Sequence, residues 1–481
     1  MNKKTGTERL KQPKALYFCG SVFTFTNFAY YGMKLVLLLF IAESAARGGL
    51  GLSNSEATAL LATFMAFSYL SPVVGGWISD RFLGPKYCVI LGMIISGIGY
   101  FLAFSAHSKT TIQIMIALCV IGGGLYKSTS QTLVGSLYEN DDPRKDGAFS
   151  MTYTFTNIGV LFGPFLCGLV ANQWFAQKQG GEILEYGYRA VFLVTAVVIW
   201  IGAVFFAVGQ KFFLKDIKTE ASKNEGRQAK KELAAKPLTK PEKRRMGVIL
   251  ILAFFTIFFW IAYNQASMSI ALYMQEFVIL KIGSFQIPTA WIDSYNGLLC
   301  VILGPVMAAI WLKMSKTKRG DLNISQKMSL GFVFLAMAFV FMIVAVVKTG
   351  TVAGQGPKAS VLFIIAFITF QSIGEMCFAP VGYGMVNKLA PLKFSSLLMG
   401  VWFASMFVAN KLSGYVELVI NQLGMLQVFI IIPLCLLVIG FLLFAMNKKL
   451  EKMADDSDMQ KGRNEYETDR ESIGDCAGTE A

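Results

Sequence analysis

The sequence predicts an all-α polytopic membrane protein with twelve transmembrane helices arranged as two six-helix bundles. Three observations point there. The 481 residues have a mean hydropathy of +0.54 and only 15% are charged, the composition of a chain that crosses a bilayer repeatedly. The apolar residues gather in runs near or above the roughly 20 residues that an α-helix needs to span the hydrocarbon core. Between those runs, lysine and arginine crowd into alternate loops.

In order, the runs cover residues of about 15–42, 54–79, 86–106, 111–138, 147–173, 189–213, 246–277, 288–314, 327–348, 359–386, 391–420 and 425–447. Residues 1–14 form a polar tail without signal-peptide shape, since the run that follows is too long for an h-region. The first bundle is expected over 15–213 and the second over 246–447. Between them, Lys211 to Arg245 carries twelve basic and five acidic residues with Pro237 and Pro241. That stretch is too charged to span, so 214–245 reads as a cytoplasmic linker between parallel halves, a common transporter layout. The tail 448–481 has almost no apolar residues after Met459 and is expected to be disordered.

A net charge of +14 invites a nucleic-acid partner, but its placement argues for a lipid bilayer. The basic residues lie in the N-terminal tail, at Arg81/Lys86 and Arg144/Lys145, in the linker, at Lys316/Lys318/Arg319 and at Lys388/Lys393. This positive-inside pattern puts both termini in the cytoplasm, as an even helix count requires, and fits a multi-pass protein of the plasma (cell inner) membrane. Seven of the eight cysteines lie in apolar runs and none forms a C-x-x-C pair, so neither a zinc site nor a disulfide framework is expected. The one histidine, His107, falls in an outer loop, which leaves no intramembrane histidine relay. Without a metal cluster or a nucleophile–base set, neither an enzyme nor a bound cofactor is expected. No obligate protein partner is evident, and the short tail supplies no output domain for a sensor.

Four ionisable residues fall deep in apolar runs: Lys34, Lys127, Glu375 and Lys411. A charge near mid-bilayer costs about 2.5–3.5 kcal/mol on insertion scales and by default marks a functional site. Lys34 and Lys127 belong to the first half and Glu375, the one clear mid-membrane anion, to the second. Across a central cavity they would form a bipolar site for a substrate with an anionic and a cationic end. The competing reading is a fixed Lys–Glu tether, but a permanent buried pair adds little net stability. Pro380, just after Glu375, suggests a kink with carbonyls freed toward a cavity and a gating role. Gly122-Gly123-Gly124 and Gly159-x-x-x-Gly163 read as close helix packing.

Gly75-Gly76-Trp77-Ile78-Ser79-Asp80-Arg81-Phe82-Leu83-Gly84-Pro85-Lys86 resembles the loop signature between the second and third helices of the major facilitator superfamily. Asp80 and Arg81 would pair with neighbouring helix ends in one state and release in another. Further stretches resemble the proton-dependent oligopeptide transporter (POT, or PTR) family within that superfamily. These are Asn27-Phe28-Ala29-Tyr30-Tyr31-Gly32-Met33, Leu125-Tyr126-Lys127, Asp142 to Phe149, Tyr153 to Gly159, Phe259-Trp260 to Ala266, Trp291 to Asn296, Gly374 to Gly382 and Met399 to Phe403. In order they cover roughly residues 15 to 447.

The resemblance implies the major facilitator fold and transport of di- or tripeptides by alternating access, with protons as the coupling ion. Carried over residue by residue, it assigns Lys34 and Lys127 to the substrate carboxylate, Glu375 and Asn296 to its amino group, and Tyr30, Tyr69, Asn157 and Trp402 to the pocket wall. The chain departs from the family at the coupling positions. The first-helix Glu-x-x-Glu-Arg pattern is Phe23, Thr26 and Asn27; the arginine after Tyr-Tyr-Gly-Met is Lys34; the seventh-helix glutamate is Asn264; and Asn-Pro in the eighth is Asn296-Gly297. Glu375 is then the leading proton carrier, and Asn264 the expected neighbour of Lys34. The missing carboxylates motivate an alternative: a facilitator, exporter or exchanger of peptides, amino-acid derivatives or another small anion, without proton coupling.

Overall fold

The computed structural model describes residues 12–138, 144–180, 182–214, 239–283, 285–317, 322–350, 354, 356–391 and 394–454. Its helices are α1 (Lys14–Ala42), α2 (Asn54–Ile78), α3 (Pro85–Phe104), α4 (Lys109–Gly135), α5 (Lys145–Leu169), α6 (Tyr188–Phe213), α7 (Lys240–Tyr263), α8 (Ser269–Phe277), α9 (Trp291–Ser315), α10 (Ile324–Thr349), α11 (Leu362–Leu389), α12 (Ser395–Ser413), α13 (Val416–Leu423), α14 (Met425–Ala445) and α15 (Asn447–Ala454). Among the described residues, twelve spans are long and apolar enough to cross a membrane. Two are interrupted. A 3-10 turn, Asn264–Ser267, separates α7 from α8 within the span Lys240–Phe277, and Gly414-Tyr415 separates α12 from α13 within Leu397–Leu423. Each expected run lies on one of these spans.

The largest boundary difference is the start of α7, six residues before the apolar run at 246. Hydropathy cannot see this turn because its residues are charged. Thr239 accepts a hydrogen bond from the Glu242 N–H while the Glu242 carboxylate takes the Thr239 N–H, a capping box that satisfies otherwise unpaired donors. Ser53 with Glu56 and Asn323 with Gln326 start α2 and α10 in the same way. The tail expected from Lys448 begins as α15, whose Leu450 is buried and whose Glu451 accepts from Asn323 Nδ2 at 3.4 Å. The rest of that tail, most of the linker and residues 1–11 lie outside the described residues, as does Lys393.

Small residues bring the helices of the first half into backbone contact. Gly75 of α2 and Gly124 of α4 face one another, as do Gly92 of α3 and Gly122 of α4. A Cβ on Gly159 of α5 would come within 2.7 Å of the Thr24 carbonyl oxygen on α1. The packing expected of the glycine motifs is thus present at α2–α4, α3–α4 and α1–α5.

Both ends of the described chain lie on one membrane face, here the terminal face. Bonds between the two bundles gather toward the opposite face. Thr58 Oγ1 donates to the Gly414 carbonyl at 3.1 Å, Asn421 Nδ2 to Ser55 Oγ at 2.8 Å and Lys411 Nζ to Thr63 Oγ1 at 2.7 Å. Ser294 Oγ donates to the Leu161 carbonyl at 2.9 Å, and Trp291 Nε1 to the Phe165 carbonyl at 3.1 Å while its ring stacks on Phe165. Short strand pairings, Gln177–Gln179 with Glu182–Glu185 and Val278–Ile279 with Ala359–Ser360, cover this face. Over-packing a tight helix contact costs about 1–3 kcal/mol, so Gly159→Leu is expected to lower the melting temperature of the purified protein by several degrees, while Gly304→Leu, whose Cβ would meet open space, leaves it near wild type.

Candidate functional site

Helical spacing turns six polar stripes toward one space. Tyr30, Tyr31 and Lys34 on α1, Met65 and Tyr69 on α2, and Tyr153, Asn157 and Val160 on α5 recur at three, four or seven residues. So do Trp260 and Tyr263 on α7, Asp293, Asn296 and Cys300 on α9, and Gln371, Glu375 and Ala379 on α11. At 3.6 residues per turn such positions share a face. They enclose a cavity of about 500 Å³ between the bundles, inside the range of roughly 300–1,000 Å³ usual for small-molecule sites.

Lys34 and Asp293 close the roof of this cavity toward the opposite face. Lys34 Nζ lies 3.0 Å from Asp293 Oδ2, and both side chains are at most 10% exposed. Asp293 Oδ1 also accepts from Ser267 Oγ at 3.2 Å. Asn264, the expected neighbour of Lys34, instead turns into the second bundle, where its Nδ2 donates to Asn410 Oδ1 at 3.0 Å and Ser413 Oγ at 3.1 Å. An amide could accept from Lys34 but could not neutralise it, and the carboxylate one helix further along does both. Glu375 is therefore not the one acidic side chain of the cavity, since Asp293 lines it too. Asp293 was hidden by its place as the third residue of α9, near the start of the run, where a carboxylate reads as interfacial. Its spacing to Asn296 and Cys300 was the available signal.

Glu375 is held by neutral donors. Its Oε2 accepts from Tyr263 OH at 2.6 Å and Asn296 Nδ2 at 3.1 Å, with the Cys300 thiol at 3.4 Å. Among the described residues no cation lies within ion-pair distance of it, so its charge remains available to a ligand. Lys127 of α4 is half-buried behind the wall, its Nζ 4.5 Å from the Tyr30 ring centroid, a cation–π arrangement. Tyr30 and Tyr69 line the cavity, as does Asn157, whose Nδ2 donates to the Tyr153 carbonyl at 2.9 Å.

Trp402 stands apart from the wall. It is fully buried, and its ring fills the space left by the missing side chain of Gly382 on α11. Pro380 lies in the cavity wall inside an α11 that runs unbroken from Leu362 to Leu389. Lacking an N–H, it cannot bond to the Met376 carbonyl one turn earlier. Asp80 and Arg81 are exposed on the terminal face in a widened turn, Ser79–Leu83, with Arg81 over the Trp77 ring and Gly84 at a φ of 75° redirecting the chain into α3.

A family model described as the POT family matches residues 86–222 and 213–428. Dipeptide and tripeptide permease A of Escherichia coli (strain K12) is 28% identical, over 94% of this chain and 95% of its own length. The uncharacterized transporter YclF of Bacillus subtilis (strain 168) is 25% identical, over 92% and 94%. The fold matches a crystal structure of a peptide transporter POT in complex with sulfate, with a TM-score of 0.80 at 23% identity, covering 92% of this chain and 96% of that one. It also matches a POT family transporter in complex with 5-aminolevulinic acid, with a TM-score of 0.79 at 22% identity.

Removing one partner of a buried ion pair strands the other charge, at a cost of about 3–5 kcal/mol, whereas replacing both with apolar side chains is near neutral. Asp293→Leu and Lys34→Met alone are expected to destabilise the purified protein by amounts of that order. The double variant Lys34→Met/Asp293→Leu should recover most of the loss, as read by a double-mutant cycle on thermal unfolding.

Proposed function

The chain belongs to the POT family, and from that premise we propose that it carries di- and tripeptides across a plasma membrane by alternating access, driven by protons through Asp293. The single observation behind the coupling is the buried Lys34–Asp293 pair, which joins the first bundle to the second at the roof of the cavity. The terminal face is taken as cytoplasmic, on the loop-charge asymmetry, so this conformation is open inward.

The chemistry follows from where charge is free. An extended di- or tripeptide is roughly 7–11 Å long. Its ammonium group meets Glu375, which already gathers Tyr263 and Asn296 but lacks a cation, and Asn296 adds an acceptor. Its carboxylate meets Lys34 once that residue is released, while Lys127, held behind the Tyr30 ring, adds positive potential at that end. Tyr30, Tyr69 and Asn157 line the space between. Trp402 supports α11 from behind. Pro380 gives α11 a point of bending beside the substrate, and Asp80 and Arg81 sit where a hinge on the terminal face would use them.

Protonating Asp293 removes the charge that holds Lys34, which frees the ammonium for a substrate carboxylate and loosens the seal. Losing that proton inward restores the pair and shuts the opposite face again. A ligand or proton can shift the two states only by binding them unequally, and Asp293 meets that condition because its partner sits on the other bundle. The absent first-helix and seventh-helix carboxylates favoured an uncoupled facilitator. Asp293 removes that motive, because a carboxylate able to take and release a proton stands against Lys34 from a different helix.

In proteoliposomes, an inward proton gradient is expected to drive accumulation of labelled dipeptide. Asp293→Asn should abolish gradient-driven accumulation while retaining peptide exchange, and equal wild-type uptake with and without a gradient would sink the coupling. Separately, Glu375→Gln should weaken binding of peptides with a free amino terminus roughly ten- to hundredfold, the equivalent of about 1.5–3 kcal/mol for a charged hydrogen bond. An amino-blocked peptide should change far less, and equal losses for both would count against the ammonium site.

A further inference from the structure

Glu417, on the first turn of α13, is a second carboxylate away from the cavity. It is 5% exposed, and among the described residues no lysine or arginine lies within ion-pair distance. Among the described residues its side chain bonds only to Ser269, with Oγ 2.7 Å from Glu417 Oε2. The same hydroxyl lies 3.1 Å from Gln265 Oε1. Gln265 is fixed in orientation, because its Nε2 donates to the Ile261 carbonyl at 2.9 Å and the Ser413 carbonyl at 3.3 Å. Its oxygen can therefore only accept.

Counting protons favours one state of Glu417. A serine hydroxyl has one proton to give. Given to Gln265, it leaves the short contact with Glu417 without a hydrogen unless the carboxyl supplies one. Given to Glu417, it leaves the Ser269 and Gln265 oxygens facing each other as two acceptors. A neutral carboxylic acid satisfies the whole chain: Glu417 donates to Ser269, Ser269 to Gln265, and Gln265 to two carbonyls. It also avoids burying an unpaired ion.

The position of Glu417 links that proton to the seal. Gly414 and Asn421, three residues before it and four after, both bond to α2 of the other bundle. Ser269 follows directly on the turn whose Ser267 donates to Asp293. Charged groups from the surrounding elements do not offset it. Glu276 of α8 has the same sign, Glu56 of α2 is committed to Lys109 at 2.6 Å, Lys411 of α12 is bonded to Thr63, and α14 contains no charged residue.

We propose that Glu417 is a proton-binding site in the seal, occupied while the opposite face is shut and emptied when that face opens. Parting α13 from α2 admits water, and water solvates the carboxylate that the closed seal cannot. The shut state binds one more proton there than the open state, so its population falls as pH rises. The site takes up and returns its proton on the same side of the membrane. It tunes the seal rather than driving cargo. The inference rests on the alternating-access reading, but its test uses no transport.

Infrared spectra of the full chain in lipid nanodiscs are expected to contain a carbonyl-stretch band of a buried carboxylic acid that vanishes in Glu417→Gln, persists in Asp293→Asn and moves in Glu417→Asp. Amide hydrogen exchange over residues 414–423, corrected for chemical exchange, should speed up at least tenfold in wild type as pH rises. In Glu417→Gln, which keeps the hydrogen-bond geometry of the neutral acid, that acceleration should be lost, leaving only the slowing with rising pH that the Lys34–Asp293 pair imposes. An acid band unchanged by Glu417→Gln, or an acceleration of exchange with rising pH that survives it, overturns the proposal. Failure of peptide uptake would leave both readouts intact and so bears on the transport reading alone.

Discussion

Lys34 and Asp293 can share the buried centre of this protein only while the two bundles are joined on the face opposite the termini. Each charge alone would be costly in a low-dielectric interior, and their attraction repays desolvation only when the geometry is close. The 3.0 Å contact therefore constrains more than two side chains. It sets α1 against α9, brings Tyr30 and Tyr31 to the same cavity as Asn296 and Glu375, and makes separation of the bundles conditional on something that replaces one of the two charges. A proton on Asp293 or a substrate carboxylate beside Lys34 each meets that condition.

The sequence made the spans legible because hydrophobic length is a property of single segments. Lys34, Lys127 and Glu375 could be singled out for the same reason, since none has another charged residue within eight positions on either side. What could not be read was pairing across segments. Asp293 and Glu417 lie near the ends of their runs, where a carboxylate costs little in an isolated helix, and only packing against other helices buries them. Trp402 failed in the opposite sense. Its motif aligned it with a pocket, but Gly382 on the facing helix leaves a hollow that captures the indole. A single chain of letters does not show which hollow an aromatic ring will fill.

Among the described residues, the two buried carboxylates have opposite surroundings: Asp293 faces an ammonium group and Glu417 a single hydroxyl. On the two proposals above, opening the same face changes both, one by losing its cation and the other by gaining water. Protons from that side thus act on the two sites in contrary directions, loosening the seal at Asp293 and tightening it at Glu417, and the balance sets the pH range in which the face moves freely. Pairs of titratable groups driven apart by environment are a general device for dividing roles between like side chains.

The glycine seams have a mechanical consequence. Where Gly75 meets Gly124 and Gly92 meets Gly122, backbones touch directly, and no flexible side chain is left between them to absorb a displacement. Those seams are thereby stiff. Prolines leave a backbone hydrogen bond unmade in both bundles, at Pro72 of α2 and Pro164 of α5 as at Pro380 of α11. Among the described residues, a span broken into two α-helices occurs only in the second bundle, at the 3-10 turn Asn264–Ser267 and the elbow Gly414-Tyr415. Strain from binding would accordingly appear as bending of α7 and α12 at these two breaks, so the pseudo-symmetric architecture executes an asymmetric stroke.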